Sequence, residues 1–193
     1  MPAHLILGGA RSGKSRYAET LAAQSALPVT LIATAQALDA EMAQRIAHHR
    51  QHRPAHWHVI EEPIALAHTL RQLVAAPCAI IIDCLSLWLA NLLGDWQPAA
   101  PDAPPAPPPA CVSQQTDALL ALLPTLPAHV HLLLVTNEVG LGLVPETPLG
   151  RLYRDEAGRL NQRLAAQCER VTLLVAGLPL ALKDDAPGHG QDA

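Results

Sequence analysis

Short apolar runs recur along the chain at residues 5–7, 29–33, 57–60, 79–82, 131–135 and 171–175, and longer stretches with apolar residues every three or four positions separate most of them. Near-continuous hydrophobic runs of that length predict strands buried on both faces, and the intervening period predicts helices. Strands joined through helices of ten or more residues imply βαβ crossovers, so the expected class is α/β, a mainly parallel sheet covered by helices on both faces. Ligands of such sheets sit beyond the carboxyl ends of the strands. That rule draws attention to the loops 8–13, 34–38, 83–85 and 136–140, which all follow predicted strands and should converge on one site.

The first of these loops reads Gly8-Gly9-Ala10-Arg11-Ser12-Gly13-Lys14-Ser15, a complete G-x-x-x-x-G-K-[ST] phosphate loop between an apolar strand and a helix-compatible stretch, 16–24. Its glycines let backbone N–H groups turn inward around phosphate oxygens, the helix start adds its positive dipole end, and Lys14 supplies a point charge. Ser15 would hold Mg²⁺, and the ligand implied is a nucleoside triphosphate.

Composition narrows the picture without changing it. The chain has 193 residues, enough for one well-cored domain, and a formal net charge of -4 that offers no basic field for nucleic acid. Four cysteines, Cys78, Cys84, Cys111 and Cys168, form no C-x-x-C pair and read as reduced thiols of a cytoplasmic protein. No membrane span or signal pattern is visible. Residues 98–110 are Pro and Ala with one Asp, which predicts an exposed insertion loop, and residues 184–193 predict a disordered tail beyond a single domain over 1–183.

The run 79–82 ends in Asp83, an arrangement that sets a carboxylate near Mg²⁺ or the nucleotide in phosphate-loop enzymes. More unusual is the segment 38–58, which holds five of the ten histidines: His48, His49, His52, His56 and His58. At 100° per residue, Leu38, Met42, Ile46 and His49 share one stripe, while Glu41, Arg45, His48 and His52 lie on its flank. Three readings stand side by side here: a metal site on the i, i+4 pair His48 and His52, a solvated face, or a neutral imidazole acting as nucleophile or base with Arg45, Arg50 and Arg53 around phosphate. Residues 136–140, Thr-Asn-Glu-Val-Gly, place polar groups where a βα loop would face the nucleotide, or form a helix cap. Arg151, Arg154, Asp155, Arg159, Asn161 and Arg163 decorate an amphipathic helix, as surface charge or as a contact to an anionic substrate.

Together, the phosphate loop, Ile32-Ala33-Thr34, Asp39-x-Glu41-Met42-x-x-Arg45-Ile46, His48-His49, Arg53-Pro54-x-x-Trp57, the 136–140 segment and Gly158-Arg159-x-Asn161-Gln162 resemble the bifunctional adenosylcobinamide kinase / adenosylcobinamide-phosphate guanylyltransferase family of cobalamin biosynthesis. The resemblance runs from about residue 5 to 183 and implies a P-loop NTPase (RecA-like) fold. It also implies that His48 carries a covalent GMP, that Lys14 and the loop backbone hold phosphates, and that Ala33, Thr34, Ala35, His49, Arg50, Gln51, His52, Glu61 and Asp83 contribute to the GTP site. The substrates implied are ATP, GTP, adenosylcobinamide and adenosylcobinamide phosphate. A homo-oligomer, a homotrimer by the resemblance, is expected on the same ground and from apolar helix faces. A non-catalytic nucleotide switch or ATPase module is the competing reading, since it explains the phosphate loop and Asp83 without the histidines.

Overall fold

The computed structural model describes residues 3–52, 54–94, 96–97 and 107–184, and the side chains of 45 and 48–52 fall outside that description. The elements run β1 (Ala3–Gly8), α1 (Lys14–Gln24), β2 (Val29–Ala33), α2 (Ala40–His52), β3 (His58–Glu61), α3 (Leu66–Leu73), β4 (Cys78–Asp83), α4 (Leu85–Leu93), α5 (Ala110–Leu122), β5 (Val130–Val135), α6 (Pro148–Gln167), β6 (Arg170–Val175) and β7 (Leu178–Asp184). They build a seven-stranded sheet in the order β3-β2-β4-β5-β1-β6-β7. The first six strands are all parallel to one another, and β7 pairs antiparallel with β6. Their carboxyl ends therefore emerge on one edge, as the alternation of apolar runs with helices predicts.

Side-chain alternation splits the core in two. Leu5, Leu7, Ile80, Ile82, Leu132 and Leu134 form one apolar layer with buried residues of α3 to α6. Ile6, Ala79, Ile81, Leu133 and Val135 face the opposite layer, where Ala18 and Ala22 of α1 are buried. Both faces are covered, which is why these strands carry no polar alternation to read. On the first face Trp88 is fully buried and donates from Nε1 to the Ile64 carbonyl at 2.8 Å, so its one polar atom is satisfied.

The six expected strands are present, shifted by a residue or two at their ends. Trp57 is not in β3: its N–H donates to the Pro54 carbonyl at 3.1 Å in a turn, and its side chain is buried in the layer beneath α1. Leu38, assigned to the helical stripe, precedes α2 and is 82% exposed, because Asp39 starts the helix by accepting from Met42 N–H at 2.7 Å. Ala110 opens α5 rather than closing the Pro-rich loop, with Pro109 just ahead of the helix; residues 98–106 lie outside the described residues.

Strand β7 was not expected, because Pro179 interrupts its pattern. A proline is tolerated there because β7 is an edge strand, whose outward side has no ladder partner. Ala176 (φ 52°) and Gly177 (φ 82°) join it to β6 in a two-residue hairpin. Asp184, expected in a disordered tail, ends the strand and accepts from Arg170 Nε at 3.1 Å; residues 185–193 lie outside the described residues. Among the described residues no helix is long and apolar enough to cross a membrane.

At the amino end of the sheet, His4 Nε2 is 2.8 Å from Thr172 Oγ1. Burial lowers its pKa to about 4, the Arg170 guanidinium acts in the same direction, and Asp184 opposes them. The unfolded chain, with an ordinary imidazole, binds more protons than the folded one between pH 6.5 and 4, so this contribution is complete above pH 6.5 and is lost as pH falls. Urea denaturation should show a loss of stability from pH 7.5 to pH 5 that is larger in wild type than in His4→Gln by about 2 kcal/mol.

Candidate active site

The phosphate loop leaves β1 at Gly8 and enters α1 at Lys14. Gly13 adopts φ 97°, a left-handed conformation open to glycine. Gly8 has no room for a side chain, since an added Cβ would lie 2.6 Å from the Leu174 carbonyl of β6 and 2.5 Å from Ser12 Oγ. The β6–β7 hairpin braces the loop from outside, with Gly177 N–H donating to the Ser12 carbonyl at 3.0 Å. A structure built from backbone and glycine is what a ring of inward N–H groups requires.

Lys14 is only 7% exposed, and its ammonium folds onto its own loop, donating to the Gly9 carbonyl at 2.5 Å. Burial lowers its pKa, while Cys84 and Asp83 act in the opposite direction. A buried cation whose shortest contact is one neutral carbonyl is under-compensated, and an anion delivered to the loop would remove that deficit.

A cleft of about 540 Å³ opens over the strand ends. Ala10 to Ser15 line it together with Ala33 at the end of β2, Ala35 just beyond it, Glu61 at the end of β3 and Asp83 at the end of β4. Four separate loops thus meet, as the strand order demands. Gly8 and Gly9 precede the residues that line it. Thr34 is brought near but not in: it is fully buried, its hydroxyl donates to the Cys84 carbonyl at 2.7 Å and accepts from Cys84 N–H at 2.9 Å. Asn91 Nδ2 donates to the Thr34 carbonyl at 2.8 Å and to the Pro63 carbonyl at 3.2 Å, tying the β2, β3 and β4 exits together. Thr34 therefore holds the cleft's frame, and its neighbours Ala33 and Ala35 line it.

Met42 and Ile46 of α2 line the cleft, so the predicted apolar stripe serves the site and not the core. The helix continues through positions 48 to 52, which puts His48, His49, Arg50, Gln51 and His52 on its last turns; their side chains, and all of Arg53, lie outside the described residues. Sequence reasoning also passed over Val59 and Leu87, which with Cys84 of the 83–85 loop give the cleft apolar patches. Their apolar character matched the core, and only the strand order separates the two uses. The arginines of α6 are engaged locally: Arg163 with Asp117 at 2.5 Å, Arg159 with Glu156, Arg154 with Asp155 at 3.4 Å, and Arg151 with the Pro145 and Glu146 carbonyls. They read as surface charge.

The family model described as cobinamide kinase / cobinamide phosphate guanyltransferase, CobU, matches residues 4–182. The chain belongs to this family. Among curated proteins it is 54% identical over 181 residues to the bifunctional adenosylcobalamin biosynthesis protein CobP of Pseudomonas aeruginosa, covering 94% of this chain and 97% of that one. It is 42% identical over 183 residues to the bifunctional adenosylcobalamin biosynthesis protein CobU of Escherichia coli and 44% identical to that of Salmonella typhimurium, covering 93% of this chain and 98% of each. Two solved structures align less closely: the P4 protein of bacteriophage phi6 with ADP, at TM-score 0.46, 15% identity, 93% of this chain and 54% of that one, and the ATPase EscN of enteropathogenic E. coli, at TM-score 0.44, 12% identity, 89% and 41%. Membership of the CobU family makes the chain an enzyme with kinase and guanyltransferase activities, and decides against a bare nucleotide switch.

Thr34→Val keeps the shape of the buried side chain and removes both bonds to Cys84. Unfolding free energy should fall by about 1–2 kcal/mol in urea denaturation, chiefly the cost of leaving the Cys84 N–H without its partner, since the Cys84 carbonyl keeps its bond from Trp88 N–H at 3.1 Å.

Proposed function

We propose that both reactions use this one cleft, the first at the γ-phosphorus of ATP or GTP and the second at the α-phosphorus of GTP with His48 as nucleophile. The observation that carries the reading is that α2, the helix bearing His48, supplies Met42 and Ile46 to the same cleft that Lys14, Glu61 and Asp83 line. Gly8 to Ser15 cradle the phosphates, and Ala33, Ala35, His49, Arg50, Gln51, His52, Glu61 and Asp83 complete the GTP site, with Thr34 holding their frame from behind.

In the kinase half, the terminal hydroxyl oxygen of adenosylcobinamide bonds to the γ-phosphorus, the bond to the β,γ-bridging oxygen breaks, and the nucleoside diphosphate leaves. Lys14, released from the Gly9 carbonyl, offsets charge on the transferring group. In the transferase half an imidazole nitrogen of His48 bonds to the α-phosphorus of GTP and pyrophosphate leaves. A phosphate oxygen of adenosylcobinamide phosphate then displaces the imidazole, giving adenosylcobinamide-GDP. Imidazole suits both steps, being a nucleophile when neutral and a leaving group when protonated.

Ser15 and Asp83 fit Mg²⁺: both line the cleft, both offer hard oxygen donors, and neither side-chain oxygen has a protein partner among the described residues. Bound there, the ion would neutralise phosphate charge. The setting we infer is the cytosol, supported by four free cysteines. The working form is a homo-oligomer, three copies by the family resemblance, supported by Leu178, Leu180 and Leu182, each more than half exposed on β7.

Mixing the enzyme with GTP labelled at the α-phosphate should give an acid-labile, base-stable label on the protein, absent from His48→Asn. A folded His48→Asn should keep kinase activity while losing guanylyl transfer. Lys14→Ala should lower kcat/KM of both halves by at least about 100-fold. An unlabelled wild-type enzyme, or complete loss of both activities in folded His48→Asn, contradicts the division of labour.

A further inference from the structure

Strand β5 lies between β1, which carries the phosphate loop, and β4, which carries Asp83. Its exit continues that pairing past the last strand residue. Thr136 N–H donates to the Ile6 carbonyl and Glu138 N–H to the Gly8 carbonyl, each at 3.0 Å, so the chain is stitched to the first residue of the phosphate loop. Asn137, between them, has its N–H turned the other way, donating at 2.7 Å to Ser86 Oγ, three residues beyond Asp83. Its carbonyl accepts from Asn161 Nδ2 at 3.3 Å, and Asn161 Oδ1 accepts from Thr136 Oγ1 at 3.2 Å. Both Thr136 and Asn161 are buried.

The Asn137 backbone is therefore held on three sides. Ser86 itself is buried, and its carbonyl accepts from Tyr153 OH at 3.2 Å. The carboxamide, by contrast, has no partner among the described residues, is half-buried, and lines the cleft with Lys14 and Asp83. A rigid backbone presenting one unpaired neutral donor beside the phosphate loop is how a site is preorganised for charge that develops during reaction.

We propose that Asn137 is a catalytic residue of the kinase half, its Nδ2 donating to a γ-phosphoryl oxygen as the phosphoryl group passes to the acceptor hydroxyl. The inference rests on the reading of the cleft given above. In that step the acceptor oxygen bonds to phosphorus, the β,γ-bridging bond breaks with its electrons going to the nucleoside diphosphate, and the hydroxyl proton leaves to water. A neutral amide suits this position, because it adds a donor without tightening the ground-state nucleotide as a second cation beside Lys14 would. In guanylyl transfer the reacting phosphorus is two phosphates away, so the same amide touches only the departing pyrophosphate.

Steady-state phosphorylation of adenosylcobinamide by ATP and formation of the guanylylated protein from α-labelled GTP should be measured on Asn137→Ala and Asn137→Asp. The kinase kcat of Asn137→Ala should fall about 100-fold, while its guanylylation rate at saturating GTP stays within threefold of wild type. Asn137→Asp, which replaces the donor by a negative charge, should lose more kinase activity than Asn137→Ala. A kinase kcat within threefold of wild type in Asn137→Ala overturns the assignment, and so does an equal fall in both half-reactions. Wild type active in both assays shows that such a failure belongs to Asn137 and not to the reading of the cleft.

Discussion

The loop that meets phosphate keeps its shape because backbone packs on backbone at Gly8. With 2.6 Å between a hypothetical Cβ and the Leu174 carbonyl, only glycine lets β1 pass β6 and still turn into the loop. The neighbouring strands then fix everything else. Gly177 N–H braces Ser12 from the β6–β7 hairpin, and Glu138 N–H reaches the Gly8 carbonyl from β5. The loop is thus gripped from both flanks of its own strand, and the order β5-β1-β6 at the centre of the sheet is a condition for that grip and not a backdrop to it.

Electrostatics complete what packing begins. Lys14 sits in a place that disfavours its charge, with a carbonyl as its close partner and Asp83 among the groups favouring protonation. Such an ammonium is held ready at low reorganisation cost, since moving from the Gly9 carbonyl to a phosphate exchanges a neutral acceptor for a charged one. The Thr34–Cys84 clasp and Asn91 do the equivalent work for geometry by joining the exits of β2, β3 and β4 without exposing their own polar atoms.

Much of this was legible in residue order. Apolar runs alternating with helical stretches specify a parallel sheet, and the phosphate loop specifies which edge is functional, so Asp83 reads as a cleft residue from its place at a strand end, whereas Glu61 follows only from the family resemblance. What stayed hidden has physical causes. Pro179 masked β7, because a proline argues against a strand unless the strand is known to be an edge. Met42 and Ile46 look like core residues, and their use as a cleft wall depends on where α2 lies relative to the strand ends. Thr34 was assigned to the ligand, since a strand-terminal threonine gives no sign that its hydroxyl is consumed by a chain segment fifty residues away. Asn137 was noticed only as part of a polar loop; its neighbours' hydrogen bonds, invisible in sequence, set it apart.

If both reactions share one triphosphate site, as proposed, they pose a separation problem on which the strand order bears. From β1 to β3 the sheet crosses β5, β4 and β2, four steps of about 4.8 Å, or about 19 Å along the functional edge. On the proposed reading the terminal phosphate lies at the β1–β5 end, beside Lys14 and Asn137, and the histidine helix approaches from the β2–β3 end, where Met42, Ile46 and Glu61 stand. A nucleophile arriving from that side meets the innermost phosphorus first and leaves pyrophosphate in the loop, whereas an acceptor hydroxyl arriving over β5 meets the outermost. On that reading the same bound nucleotide is cut at either end by the direction of attack, and a single phosphate loop serves both activities.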